Sequence, residues 1–91
     1  MNPLTPAQVR AKRVEAQQVE VTFHLGKDGV TDAAVAELLG QLQRRKLVKA
    51  RLLPSATAGG AGNDEVAARL ASATSSTLID VRGHTAVFFR A

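Results

Sequence analysis

The sequence predicts a two-layer α/β fold in the order α-β-α-β-α-β-β, a four-stranded mixed sheet with helices packed mainly on one face. Three observations predict it. Segments whose apolar residues alternate with period two interleave with segments whose apolar residues recur at three and four. Short turn-forming stretches rich in Gly, Pro, Asp and Ser separate them. The last two strand-like segments are divided only by a turn at Gly83, whereas the earlier ones are divided by a helix. Strand–helix–strand units with short connections imply right-handed crossovers, so the first three strands run the same way and the last returns antiparallel by hairpin.

At the N-terminus, Leu4-Thr5-Pro6-Ala7-Gln8-Val9 reads as a helix start. Thr5 suits the N-cap, Pro6 the first helical position, and Gln8 completes a capping box, with Leu4 and Val9 at the spacing of a hydrophobic staple. The helix runs from about Pro6 to Gln17 and carries Arg10, Lys12 and Arg13. Its inward stripe is only Val9, Val14 and some alanines, which predicts loose packing. Val19 to Leu25 then alternates, with Val19, Val21, Phe23 and Leu25 on one face and Glu20, Thr22 and His24 on the other. Period two with β-branched and aromatic residues is a half-buried strand. It ends in Gly26-Lys27-Asp28-Gly29, a tight turn needing positive φ at one glycine or more.

Thr31 caps a second helix, flanked by Val30 and Val35, in which Val35, Leu38, Leu39 and Leu42 form the core stripe. Arg44, Arg45 and Lys46 close it where the helix dipole favours cations. Leu47 to Leu53 is a second strand, Val48, Ala50 and Leu52 on one side and Lys49 and Arg51 on the other, stopped by Pro54. Residues 55–62, small and uncharged, read as a flexible surface loop. Asn63 or Asp64 is placed to cap a third helix, from about Asp64 to Ala73, with Val66, Ala67, Leu70 and Ala71 inward. Thr77 to Arg90 makes the hairpin. With both crossover helices on one sheet face, Thr22, His24, Lys49 and Arg51 fall on the more accessible one.

Composition bounds the function. Ninety-one residues and 9.6 kDa predict a single domain spanning 1–91. The absence of Cys removes disulfide frameworks, thiolate zinc sites and cysteine nucleophiles. Nothing approaches the apolar length of a membrane span, and Met1 to Pro6 lacks the order of a secretory signal, so a cytoplasmic location is expected. Twelve Lys and Arg against eight Asp and Glu give +4, a lean toward polyanionic partners.

The chemistry-bearing candidates follow. Gly26-Lys27-Asp28-Gly29 joins a strand to a helix N-terminus and brings backbone N–H groups, a positive helix end and a lysine together, as a phosphodiester would require. KH domains clamp nucleic-acid backbone with a GXXG loop in this way; a plain strand-to-helix turn is the other reading. It is not a nucleotide-triphosphate loop, since Lys27 is followed by Asp28 rather than Ser or Thr. Arg44 to Arg51 holds five cations and no acid, either a phosphate-contact patch or a helix C-terminus followed by a solvated strand face. His24 and His84 lack a third ligand or a carboxylate at a telling spacing, which favours hydrogen-bonding roles, with His84 beside Arg82 also placed to touch RNA. Phe88 and Phe89 point to opposite sides, so one is core; if that is Phe89, Phe88 joins Arg82 and Arg90 as a base-stacking platform, and otherwise it is covered by the first helix.

Taken together, the opening Leu4-Thr5-Pro6-x-Gln8, the stretch Leu25-Gly26-Lys27-Asp28-Gly29-Val30-Thr31, the run Leu47-Val48-Lys49-Ala50-Arg51-Leu52 and the closing Arg82 to Arg90 resemble the CRM-domain, or YhbY-like, RNA-binding family. The resemblance covers essentially the whole chain in order. It implies a fold similar to the C-terminal domain of translation initiation factor 3, and RNA binding without catalysis or cofactor. It also implies association with large-subunit ribosomal RNA or a pre-ribosomal particle. Gly26, Lys27 and Gly29, with Asp28 between them, match the family's loop, and Lys49, Arg51, Arg82 and Arg90 match basic positions near its binding surface. His84 completes the expected RNA-contact set, and a monomer with no membrane partner is expected. Two rival readings stay open: a protein–protein module docking a ribosomal or assembly protein, and a small acid/base enzyme using His24 or His84.

Overall fold

The computed structural model describes residues 4–54 and 62–91. The elements follow in the expected order: α1 (Pro6–Ala16), β1 (Val21–Leu25), α2 (Asp32–Arg45), β2 (Leu47–Leu52), α3 (Asn63–Ala73), β3 (Thr77–Arg82) and β4 (Thr85–Phe89). Residues 55–61, most of the segment read as a flexible loop, lie outside the described residues. The sheet has the order β1-β2-β4-β3. β1 and β2 are parallel, and β4 is antiparallel to both β2 and β3, so the first three strands share one direction.

Local chemistry sets the helix starts. Thr5 N–H donates to Gln8 Oε1 at 2.8 Å and Gln8 N–H donates to Thr5 Oγ1 at 3.2 Å, the reciprocal pair of a capping box. Thr31 Oγ1 accepts from Ala34 N–H at 3.1 Å to start α2. α3 differs from expectation. Its N-cap is Gly62 with no side-chain cap, because the Asn63 amide reaches across to the Gly83 carbonyl at 2.6 Å instead.

Two apolar clusters sandwich the sheet. α2 lies over β1 and β2 and α3 over β3. Leu38, Leu42, Val66 and Leu70 bury against Phe23, Leu25, Val48, Ala50, Leu52, Ala86 and Phe88. On the opposite face α1 lays Leu4, Val9 and Ala16 on Leu47, Ile79, Val87 and Phe89. Ala16 is the one buried residue of α1, and Val14, expected inward, is 64% exposed. A helix with so thin a stripe covers only part of its face.

Two irregularities correct the alternation read from the sequence. β1 slips register between Val21 and Phe23: Val21 pairs with Lys49 while Phe23 pairs with Ala50. Phe23 and Leu25 therefore enter the α2/α3 core, whereas Val19 joins the α1 cluster. Thr22, expected on the open face, sits at the bulge and bonds α2, its Oγ1 donating to Gln41 Oε1 at 2.7 Å while its carbonyl accepts from Gln41 Nε2 at 2.9 Å. The second slip lies between Leu78 and Asp80 in β3. The aromatic question is also settled: Phe88 is fully buried in the α2/α3 core, and Phe89 lies beneath α1 with Lys12 Nζ 4.5 Å from its ring centroid. Phe88 is no stacking platform.

Two stability predictions follow. Phe88→Ala removes a fully buried ring and is expected to cost about 3–5 kcal/mol in urea denaturation, a large fraction of the stability of a domain this small. Lys46, between α2 and β2, holds φ 67 and ψ −45, a strained conformation for a residue with a side chain. Lys46→Gly should raise stability by about 0.5–1 kcal/mol in the same measurement.

Candidate nucleic-acid interface

The loop after β1 is a four-residue turn closed by Gly29 N–H donating to the Gly26 carbonyl at 3.1 Å, with Lys27 and Asp28 at its corners. Gly29 has φ +68 and its carbonyl accepts from Thr31 N–H at 3.0 Å, leading the chain into the α2 cap. Glycine at 29 is thus required by the backbone. Gly26 is different: its φ lies outside the left-handed region and a Cβ there would meet nothing within 4 Å. Its bareness leaves room for an outside group to approach the main chain. Lys27 makes no ion pair or side-chain hydrogen bond among the described residues.

Strand register aligns the other candidates. His24 pairs with Arg51, Arg51 with Thr85, and Thr85 with Arg82, a polar row crossing all four strands on the α1 face. At strand spacings of about 4.8 Å the row is about 14 Å wide. It lies at the end of the sheet where β1 runs into the Gly26–Gly29 turn and β3 into the Gly83 hairpin. The next row inward is Val21, Lys49, Val87 and Asp80. There a groove opens between the C-terminal end of α1 and the sheet, lined by Arg13, Gln17, Lys49, Asp80, Arg82 and Thr85 with Ala16 and Val87 at its base. Lys49 Nζ reaches the Ala16 carbonyl at 3.5 Å. Asp80 pairs with Arg82 at 3.0 Å and with Arg13 at 3.7 Å.

The hairpin is pinned to the same end. The His84 carbonyl accepts from Leu52 N–H at 2.6 Å, and Asn63 Nδ2 lies 3.2 Å from His84 Nδ1. This contact ties the His84 ring to the start of α3. Gly26, Lys27, Asp28, Gly29, Arg51, Arg82 and His84 therefore gather at one end of the sheet, with Lys49 one row behind. Arg90 does not join them: its N–H donates to the Lys46 carbonyl at 2.9 Å, at the other end. Arg44 and Arg45, at the C-terminal end of α2, stand there too. The cation run therefore splits between the two ends.

Sequence reasoning missed Arg13, Gln17, Asp80 and Thr85. A signal for Arg13 exists in helix phase, because Val9, Arg13 and Ala16 fall at i, i+4 and i+7, so a cation sits within the inward stripe. Asp80 has one as well: it stands two residues before Arg82, so strand alternation puts the two on one face. Among the described residues no group of three His, Asp or Glu is placed to hold a metal, and no helix is long and apolar enough to cross a membrane.

The domain is thus a two-layer α/β sheet with one face partly open, a glycine-bounded turn at its edge and Arg51 and Arg82 in register across its strands. Residues 4–90 match the CRS1 / YhbY (CRM) domain model, and the chain belongs to that family. It is similar to the probable RNA-binding protein YqeI of Bacillus subtilis, 29% identical over 87 residues, spanning 96% of this chain and 88% of that protein. The fold is similar to the solution structure of SAV1595 from Staphylococcus aureus, described as an RNA-binding candidate, with TM-score 0.79 and 28% identity over 98% of this chain and 90% of that one.

The two loop glycines should separate experimentally. Gly29→Ala forces a side chain into φ +68 and should cost about 1 kcal/mol in thermal or urea unfolding. Gly26→Ala should stay within about 0.5 kcal/mol of wild type.

Proposed function

We propose that this chain is a non-catalytic RNA-binding protein that contacts structured ribosomal RNA during assembly of the large ribosomal subunit. Membership of the CRM family and the RNA-binding names of its relatives support the RNA partner. The ribosomal target rests on the family resemblance. The observation that carries the reading is convergence: the Gly26–Gly29 turn, the His24–Arg51–Thr85–Arg82 row and the His84 hairpin occupy one end of one sheet face.

In this reading Gly26 lets the RNA backbone approach the turn while Lys27 supplies charge. Arg51 and Arg82 carry the positive track across the strands, Lys49 extends it inward, and the His84 ring adds a polar contact at the hairpin. Arg51, like Lys27, makes no ion pair among the described residues, so its charge is available to an external anion. Neutralising about three to five phosphates gives log affinity a slope of about −2 to −4 against log salt.

Fluorescence anisotropy with a structured fragment of large-subunit ribosomal RNA tests this, with wild type beside Gly26→Asp and Arg51→Gln. Wild type should bind with that salt dependence. Each variant should bind more weakly at an unchanged melting temperature, since neither position has a structural demand the substitution violates. Binding that ignores salt and both substitutions would contradict the mechanism and favour a protein-docking role.

A further inference from the structure

We propose that Asp80 is an intramolecular competitor for RNA phosphate, holding Arg13 and Arg82 across the α1–sheet groove and yielding them when the backbone of an RNA enters. The inference rests on the RNA-binding reading and adds to it both a contact surface that includes α1 and a residue that limits affinity.

The geometry starts with the β3 bulge. Regular alternation after Leu78 would send Ile79 toward α1 and Asp80 toward the α2/α3 core. The slip between Leu78 and Asp80 keeps both on the α1 face, where Ile79 is buried and Asp80 enters the groove. Each carboxylate oxygen then takes one guanidinium, Oδ1 from Arg13 of α1 at 3.7 Å and Oδ2 from Arg82 of β3 at 3.0 Å. The carboxylate is recessed and the arginines form the rim: the Asp80 side chain is 23% exposed, against 45% for Arg13 and 74% for Arg82. Both contacts are made through Nε. A guanidinium has five N–H donors in a planar fork, so the terminal nitrogens remain for an incoming anion.

Asp80 is not needed simply to hold α1 down. Arg13 Nε also donates to the Ile79 carbonyl at 3.4 Å, Lys49 Nζ reaches the Ala16 carbonyl, and Leu4, Val9 and Ala16 pack on Ile79, Leu47 and Val87. The carboxylate instead pre-orients two cations and screens them. Ion pairs this exposed are weak, and a phosphodiester brings equivalent charge to the same donors. Lys49 and the Thr85 hydroxyl, also in the groove, add donors that Asp80 does not use. A polyanion touching the groove alone therefore gains little by displacing Asp80. An RNA that also engages Arg51 and the Gly26–Gly29 turn gains enough.

The test compares wild type, Asp80→Asn and Arg13→Gln/Asp80→Asn in anisotropy titrations with the same ribosomal RNA fragment at three salt concentrations. It also follows the arginine Nε–Hε resonances of wild type by NMR as RNA is added. Asp80→Asn should bind about two- to fivefold more tightly, with a salt slope steeper by about one, and the double variant should lose that gain. In wild type the Arg13 and Arg82 Nε–Hε resonances should shift as RNA binds. Wild type binding while Asp80→Asn binds equally or more weakly would overturn the competitor role and leave the RNA reading intact. Static arginine resonances in an RNA-bound wild type would do the same, even if Asp80→Asn failed to fold. Absence of binding by every form at low salt would remove both readings, and binding by Asp80→Asn alone would support competition directly.

Discussion

The Val48–Phe88 pair at the middle of the sheet is the contact on which the rest of the structure depends. The two residues face each other between β2 and β4, neither has any exposed surface, and Phe88 also stands opposite Leu78 of β3. Placing β4 between β2 and β3 surrounds the largest fully buried side chain with strands on both sides and with α2 and α3 above. Burial on one face fixes register, because a one-residue slip would turn every side chain of β4 to the other face. Once Phe88 is fixed, Thr85 is fixed opposite both Arg51 and Arg82. The polar row of the candidate interface is therefore positioned by the apolar core behind it, and its members need not contact one another to stay aligned.

The α1 face shows a gradient along the strands. Its first row, Leu47, Phe89 and Thr77, lies under α1; its second, Lys49, Val87 and Asp80, is mixed; its third, Arg51, Thr85 and Arg82, is polar throughout. A helix gains by covering apolar surface and loses by desolvating charge. α1 ends at Ala16, and Lys49 reaches that residue's carbonyl. The groove is the boundary between the part of the face that stabilises the fold and the part left in water. This also explains why Arg13 serves both: it lies on a helix packed by its apolar neighbours, near enough to that boundary for its guanidinium to reach the sheet.

Much of this was legible in the sequence, and the failures share a cause. Element order, the Thr5 and Thr31 caps, the positive φ in the Gly26–Gly29 turn and the hairpin at Gly83 follow from local chemistry, which a sequence displays directly. Val19, Val21, Phe23 and Leu25 alternate without fault, yet the chain inserts a bulge at Thr22 because the Gln41 amide on α2 offers both a donor and an acceptor. Asn63 abandons the cap position for a hairpin twenty residues away. A second bulge puts the consecutive residues Ile79 and Asp80 on the same face of β3. The first two are tertiary hydrogen bonds that override a local preference, with partners nineteen and twenty residues away, and the third is a register change set by the neighbouring strand. In the candidate site the turn was visible and the phase of Arg13 with Val9 and Ala16 was available, whereas which strands α1 lies over needed the fold.

A net charge of +4 is small for a nucleic-acid partner, so the positions of the acids matter more than the total. Asp32 occupies the first turn of α2, and Asp64 and Glu65 that of α3, where carboxylates offset the positive helix ends. Both helices lie on the far side of the sheet from α1, so these acids sit behind the polar row while Arg13, Lys49, Arg51 and Arg82 stand in front of it. An anion approaching the start of α2 meets Asp32 as well as Asp28, which weakens the dipole as a phosphate site. An anion approaching from the strand side meets Lys27, the bare backbone at Gly26 and the row led by Arg51. In the proposed RNA-binding reading, this charge arrangement favours approach of a polyanion from the strand side of the turn, continuous with the sheet face. The α2 N-terminus then serves chiefly to hold the turn in place.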